Sequence, residues 1–182
     1  MNIFDGSSAL CQVFIYKEGL LSALAYDLRI NVTSFLIELG RKEQFIKARF
    51  DAQSLRVDCA MVDGSERPDI LSLETRKEIE HSIIEKVLET ETYREIFLLS
   101  SSVKKEDSTY QVNGLLTLHG MTREITFPVK AEGNYLSAYV RLRLNDFGIR
   151  PFSALFGTIR VKPDILIRVM IPKPEDNVDP LS

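Results

Sequence analysis

Apolar and polar residues alternate along most of this chain, and the alternation is most regular over residues 135–144. Apolar side chains occupy one set of alternate positions there, while tyrosine, serine and arginine occupy the other. Successive side chains of a β-strand point to opposite faces of its sheet, so we predict a strand with one buried face. The residues on the buried face are Leu136, Ala138, Val140, Leu142 and Leu144.

The same alternation predicts four further strands, over residues 45–51, 55–59, 123–131 and 164–171. Short turn signals separate such runs, for example at residues 132–134. Many alternating strands joined by short turns are typical of an antiparallel sheet that closes into a barrel or folds into a sandwich. We therefore predict an all-β antiparallel barrel of about eight strands.

One of these strands carries a proline. Pro128 lies within residues 123–131 and has no N–H to donate to a neighbouring strand. We therefore expect this strand to be at a sheet edge, or to be bulged, at Pro128.

Residues 73–90 break the alternation. Apolar residues recur there at spacings of three and four, and charged residues fill most other positions. This period is that of an amphipathic helix, with Ser72 as its N-cap and Glu74 near its start. We predict one helix, which either caps an end of the barrel or lies across its wall.

The sequence predicts a single globular domain over residues 1–172. Hydrophobic residues make up 45% of the 182 positions and charged residues 27%, which is ordinary globular composition. Neither an internal repeat nor a linker interrupts the pattern. Residues 173–182 have no apolar period, and we expect a flexible tail there.

Charge and segment composition exclude several classes of protein. The 23 basic and 26 acidic residues give a net charge of −3, which argues against nucleic-acid binding. The sequence has neither an apolar run of about 18 residues nor a secretory signal pattern, so we expect a cytoplasmic protein without a membrane span. Cys11 and Cys59 lack metal-ligand spacing and are expected to be buried thiols, with a single disulfide as the alternative.

Basic residues concentrate late in the chain. Residues 121–170 hold 8 basic and 4 acidic side chains, whereas residues 61–110 hold 7 basic and 12 acidic ones. One interpretation is two solvated faces. The other is that arginines frame the mouth of a site for an anionic group. The arginines in question are Arg141, Arg143, Arg150, Arg160 and Arg168.

Few residues support catalysis. His81 lies on the predicted helix near two glutamates and is expected to form a surface ion pair, and His119 lies at a strand end, where a hydrogen bond to the backbone is the simplest interpretation. The sequence has no nucleophile motif, no Gly-rich phosphate loop and no His/Cys cluster. We predict no catalytic residue, no metal and no cofactor. An enzyme that uses His119 is the least favoured alternative.

The connection after the most regular strand is long and rich in large apolar residues. It covers residues 145–157 and contains Phe147, Phe152 and Phe156. Such a loop either plugs one end of a solid core or covers an apolar cavity, since small barrels often hold one ligand inside. Composition favours neither alternative.

Several motifs resemble those of the YceI-like family. The Leu-His-Gly-Met-Thr run within residues 114–129 resembles a hairpin of that family, and the Asp-Phe-Gly-Ile run within residues 144–149 resembles a second motif. Residues 86–96 are similar to the family's helix exit, and the resemblance covers about residues 8–172 in all. The chain departs from the family in three places, which are Arg94 in place of a proline, Leu144 in place of an arginine, and the absence of a secretion signal.

The resemblance implies a lipocalin-like antiparallel barrel whose apolar interior binds polyisoprenoid or similar lipids, with no reaction. We therefore predict non-catalytic binding of an isoprenoid or another long-chain lipid, of quinone or polyprenyl phosphate type. The alternative is a solid-cored interaction or structural protein of the same fold, and pairing of two copies through an edge strand stays open. The predicted ligand-binding residues are Leu136, Ala138, Val140, Leu142, Phe147, Phe152, Phe156, Arg143 and Arg150.

Overall fold

The computed structural model describes residues 1–18, 26–40, 45–154 and 159–173. Phe156 and most of the predicted tail, residues 174–182, lie outside these ranges. The described residues form fifteen strands and one α-helix, α1 (Leu73–His81). The strands are β1 (Asn2–Asp5), β2 (Leu10–Ile15), β3 (Lys17–Glu18), β4 (Asp27–Val32), β5 (Phe35–Gly40), β6 (Phe45–Asp51), β7 (Leu55–Val62), β8 (Ser65–Arg67), β9 (Glu95–Glu106), β10 (Thr109–Leu118), β11 (Met121–Glu132), β12 (Tyr135–Arg143), β13 (Ser153–Ala154), β14 (Ile159–Val161) and β15 (Asp164–Pro172).

Twelve of these strands form one curled antiparallel sheet. Its order is β1-β5-β6-β9-β10-β11-β12-β15-β2-β4-β7-β8, and β13, β14 and β3 form a small second sheet. Residues 33–34 and 52–54 connect strands from opposite halves of this order, and the two connections are hydrogen-bonded to each other. The N–H of Thr33 donates to the carbonyl of Ser54 at 3.1 Å. The sheet therefore curls into a half-barrel.

The prediction of an all-β antiparallel fold is confirmed, and all five predicted strands are present. The predicted number of about eight strands is wrong. Five of the fifteen described strands span only two to four residues, which is too short for an alternation to be recognised. These are β1, β3, β8, β13 and β14.

Pro128 lies where β11 loses one of its two neighbours. β11 pairs with β10 through ten residue pairs but with β12 only through its last four residues. Glu132 and Tyr135 close a two-residue hairpin turn and form a hydrogen-bonded pair. Such pairs recur at every second residue, so the N–H of residue 128 would have to donate to the carbonyl of Tyr139. Pro128 has no N–H, and the ladder ends there. The expectation of a sheet edge at Pro128 is correct for the β12 side of the strand.

The predicted helix is present, and its second half is wider than an α-helix. α1 spans Leu73–His81, and π-helical turns continue it over Ser82–Val87. The hydroxyl of Ser72 accepts a hydrogen bond from the N–H of Thr75 at 3.1 Å, so the predicted N-cap is confirmed. Glu89 has a left-handed backbone with φ of 47°, which ends the helical segment just before the predicted boundary.

The helix lies across the wall of the half-barrel, against β7. The carboxylate of Glu80 accepts a hydrogen bond from the N–H of Val57 at 2.7 Å, so the helix covers part of the edge of that strand. Its apolar residues Ile79 and Ile83 pack against the core of the sheet. Within the described residues, no helix is both long and apolar enough to cross a membrane.

The core has two parts. The larger part lies on the inner face of the sheet and includes buried residues of β2, β4, β5, β6, β7 and β9–β12 and β15. The smaller part lies at one end of the half-barrel, where the chain leaves β12 and turns back toward β15. Its buried members are Leu116, Leu118, Leu142, Leu144, Phe147, Ile149 and Ile165.

Candidate functional site

The inner face of the half-barrel encloses a cavity of about 110 Å³. Seven adjacent strands supply its wall, from β5 through β6, β9, β10, β11 and β12 to β15. The seventeen residues that line it are all apolar, and none of them is titratable. A wall of this kind offers no hydrogen-bond partner and accepts apolar groups.

The predicted inward face of β12 lies on this cavity. Leu136, Ala138, Val140 and Leu142 all line it. Three of the four are buried, and Val140 is half-buried. The alternation therefore placed these side chains correctly, and their contact with a ligand stays a prediction.

Most of the cavity wall comes from strands that the list of predicted ligand-binding residues left out. β6 contributes Ile46, Ala48 and Phe50, which are the apolar positions of a strand that the alternation had identified. β5 contributes Ile37 and Leu39. The same alternation was the signal for all of these residues, but it could not show which strands would face one another.

The phenylalanines of the long connection have separate locations. Phe147 is 2% exposed and belongs to the smaller core, and it does not line the cavity. Gly148 follows it with φ of 69° and turns the chain. Phe152 is half-buried and is not among the residues that line the cavity. Phe156 lies outside the described residues.

The two arginines among the predicted ligand-binding residues, Arg143 and Arg150, also differ in position. Arg143 is exposed at the end of β12 and lines a groove of about 550 Å³ on the outside of the wall, between β11 and β12. Arg150 is exposed and lines neither this groove nor the interior cavity.

Both histidines pair with glutamates. His81 Nδ1 lies 3.0 Å from a carboxylate oxygen of Glu85 on the helix surface, as expected. His119 differs from the expectation, because its Nε2 lies 2.9 Å from a carboxylate oxygen of Glu89 and not at a backbone group. Its ring also packs on Tyr93, with ring centroids 4.1 Å apart. These contacts connect the end of the helical segment to the β10–β11 turn.

The two cysteines are buried and unpaired, so the disulfide alternative is excluded. Cys11 lies in the larger core, and its burial raises the pKa of the thiol to about 12. Burial also raises the pKa of Cys59. Neither thiol is suited to act as a nucleophile at neutral pH, because the thiolate is the reactive form.

An antiparallel half-barrel around an apolar cavity defines the class of lipocalin-like β-barrel domains. Within this class, the family model of the YceI-like domain matches residues 29–171, and the chain belongs to the YceI-like family. The resemblance of the sequence motifs is thereby confirmed. No curated protein sequence matches the chain.

Solved structures share the fold at low sequence identity. BcnA of Burkholderia cenocepacia superposes with a TM-score of 0.64 at 14% identity, over 92% of this chain and 97% of that one. A polyisoprenoid-binding domain from Saccharophagus degradans, implicated in plant cell wall breakdown, gives 0.58 at 10% identity, over 93% and 94%. The YceI protein of Campylobacter jejuni gives 0.54 at 10% identity, over 80% and 85%. These likenesses establish the fold.

Proposed function

We propose that this protein binds an isoprenoid or another long-chain lipid, without a chemical reaction, inside the half-barrel. The observation that carries the proposal is the cavity wall, in which all seventeen residues are apolar. A hydrocarbon chain needs no polar partner, and its burial contributes about 0.8 kcal/mol per CH₂ group. The likeness to a domain described as polyisoprenoid-binding supports the same class of ligand.

The cavity has to widen to hold such a chain. Its volume of about 110 Å³ is below the range of about 300–1,000 Å³ that is usual for ligand sites. Several residues of its wall are only half-buried, among them Phe50, Leu98 and Val140, and these side chains have the most freedom to move. Changes of rotamer at these positions make room for the ligand chain.

A protein with a filled core and no ligand is the second candidate. The small volume of the cavity favours it, since about 110 Å³ is below the usual range of ligand sites of about 300–1,000 Å³. The two candidates differ in one respect that can be measured, which is whether the protein takes up lipid.

The experiment measures lipid in the purified protein and uptake of an added prenyl lipid. Mass spectrometry of a solvent extract identifies any lipid that copurifies, and farnesol serves as the added ligand. Ala138→Leu fills the cavity with an apolar side chain, while Ala131→Leu makes the same change at an exposed position of β11 that does not line the cavity. We expect Ala138→Leu to weaken uptake at least about tenfold and Ala131→Leu to retain it. A tenfold loss of affinity corresponds to about 1.4 kcal/mol of binding free energy.

Two results would overturn the proposal. One is a clean extract together with no uptake of farnesol by the unmodified protein, which would favour the filled core. The other is equal uptake by both alanine variants, which would place the lipid outside the cavity. Circular dichroism of each variant verifies that it is folded.

A further inference from the structure

β11 and β12 separate halfway along their length, which leaves a gap in the wall of the half-barrel. Four residue pairs join the two strands, whereas β11 makes ten pairs with β10 and β12 makes nine with β15. Each strand is therefore held in the sheet by its other neighbour. The groove between them has a volume of about 550 Å³, which is within the usual range of ligand sites of about 300–1,000 Å³.

The gap has defined ends. At one end the ladder stops at Pro128. At the other, Arg123 of β11 donates a hydrogen bond from Nε to the main-chain carbonyl of Asp146 at 3.0 Å, in the turn that follows β12. The opening is thus bounded at one end by the pairing of β11 with β12 and at the other by the hydrogen bond from Arg123.

The floor of the groove is continuous with the wall of the interior cavity. Ile125 of β11 and Leu142 of β12 line both spaces. These two side chains lie on opposite sides of the gap. Among the described residues, only these two line both the outer groove and the apolar interior.

The outer part of the groove is charged. Arg141 and Arg143 lie two residues apart on β12, so both side chains project from the outer face, about 7 Å apart along the strand. Both are exposed, and within the described residues neither guanidinium group has a hydrogen bond or an ion pair. The groove also contains the carboxylates of Glu124 and Asp146 and a third guanidinium, that of Arg123, which donates to two main-chain carbonyls. Arg141 and Arg143 are therefore the arginines of the groove that are open to an anion.

We propose that this gap is the site for the oxyanion end of the lipid. The guanidinium groups of Arg141 and Arg143 bind a phosphate at the outer groove, since guanidinium N–H donors match phosphate oxygens in charge and geometry. The hydrocarbon chain passes between Ile125 and Leu142 into the cavity. This inference rests on the proposed function and adds to it a side entry and a charged end group.

The test compares farnesyl phosphate with farnesol, which has the same chain without the phosphate. The measured quantity is the ratio of the two affinities, in the unmodified protein and in the double variant Arg141→Gln/Arg143→Gln. The control is Lys104→Gln/Lys130→Gln, which removes two exposed positive charges from β9 and β11 outside the groove. We expect the unmodified protein to favour the phosphate by about tenfold, an advantage that salt reduces.

The arginine variant should lose this advantage and the lysine control should keep it. Glu124→Gln should raise the affinity for farnesyl phosphate, because it removes a negative charge from the groove. An affinity ratio that is unchanged in the arginine variant, or equally reduced in the lysine control, would overturn the inference.

Two more outcomes separate this inference from the proposed function. If farnesol and farnesyl phosphate bind equally well, lipid binding stands and the oxyanion site is wrong. If neither compound binds, the proposed function itself fails. Inorganic phosphate provides the last arm, because binding of phosphate alone with an affinity equal to that of farnesyl phosphate would identify a free-anion site and overturn the role in lipid entry.

Discussion

Arg94 donates two hydrogen bonds to the carboxylate of Asp51, at 2.9 Å from Nη2 and 3.3 Å from Nε. Asp51 also accepts from the N–H of Gln53 at 2.9 Å, and the N–H of Ala52 donates to the carbonyl of Arg94. These contacts join the start of β9 to one of the two connections that cross the half-barrel. The arginine that stands where the family resemblance led us to expect a proline therefore has a structural role.

The Asp51 carboxylate should make stability depend on pH in the acidic range. Its hydrogen bonds, first of all that from Arg94, lower the pKa of Asp51 below its ordinary value of 3.8. A lowered pKa adds stability above the unfolded value, and this contribution is lost as the pH falls through the folded value. We expect Asp51→Asn to cost about 1 kcal/mol at neutral pH. The difference from the unmodified protein should shrink below about pH 4.

Urea unfolding at neutral and acidic pH measures this difference. Glu132→Gln is the control, because Glu132 is an exposed carboxylate at a hairpin end. A stability difference between Asp51→Asn and the unmodified protein that stays constant into the acidic range would contradict the role of the carboxylate.

Removal of the His119 side chain should loosen the junction between the helical segment and the β10–β11 turn. The imidazole is 12% exposed and contacts both Glu89 and Tyr93. We expect His119→Ala to cost about 1–2 kcal/mol in urea unfolding. Glu89→Gln should cost less, because that side chain is 58% exposed and water competes for its contact with His119. Unchanged stability of His119→Ala would contradict this structural role.

Gly120 should tolerate a side chain less well than Gly133, although both have positive φ, of 71° and 57°. A Cβ atom at Gly120 would lie 2.8 Å from a ring carbon of Tyr93, whereas nothing lies within 4 Å of one at Gly133. Each alanine variant bears backbone strain of about 1 kcal/mol. We expect Gly120→Ala to cost about 1–2 kcal/mol more than Gly133→Ala, because the Tyr93 ring has to move. Equal midpoints of urea unfolding would show that the ring is not held.

The Cys11 thiol should be unreactive in the folded protein. Cys11 is 3% exposed, and burial raises its pKa to about 12, so almost no thiolate exists at neutral pH. A Cys59→Ala variant leaves Cys11 as the single thiol. We expect a thiol-specific reagent to label it at least about a hundredfold faster in urea than in buffer. Unfolding exposes the thiol and removes the burial that raises its pKa. Rapid labelling in buffer would show that this part of the core opens readily.

Local patterns predicted the parts of this molecule that local chemistry determines. The inward face from Leu136 to Leu142 followed from alternation, and the break at Pro128 followed from a missing donor. The N-cap at Ser72 is equally local.

Other features depend on residues that are distant in sequence. The bridge from Arg123 to the carbonyl of Asp146 spans 23 residues, and the contact of His119 with Glu89 spans 30. The apolar side chain of Phe147 suits a lid as well as a core. Its place in the smaller core depends on residues that are distant in the sequence, which no local pattern identifies. The short outer strands have too few residues for any pattern.

The edges of the sheet bear on how the protein behaves at high concentration. An unpaired strand edge is a template for addition of a strand from another molecule, which is the first step of fibrous polymerisation. The outermost strands here are β1 and β8, of four and three residues, and all three residues of β8 are exposed and polar. Glu80 occupies the main-chain donor of Val57 on the longer strand beside β8. A growing fibril would have to displace this carboxylate before it could form a hydrogen bond to the N–H of Val57.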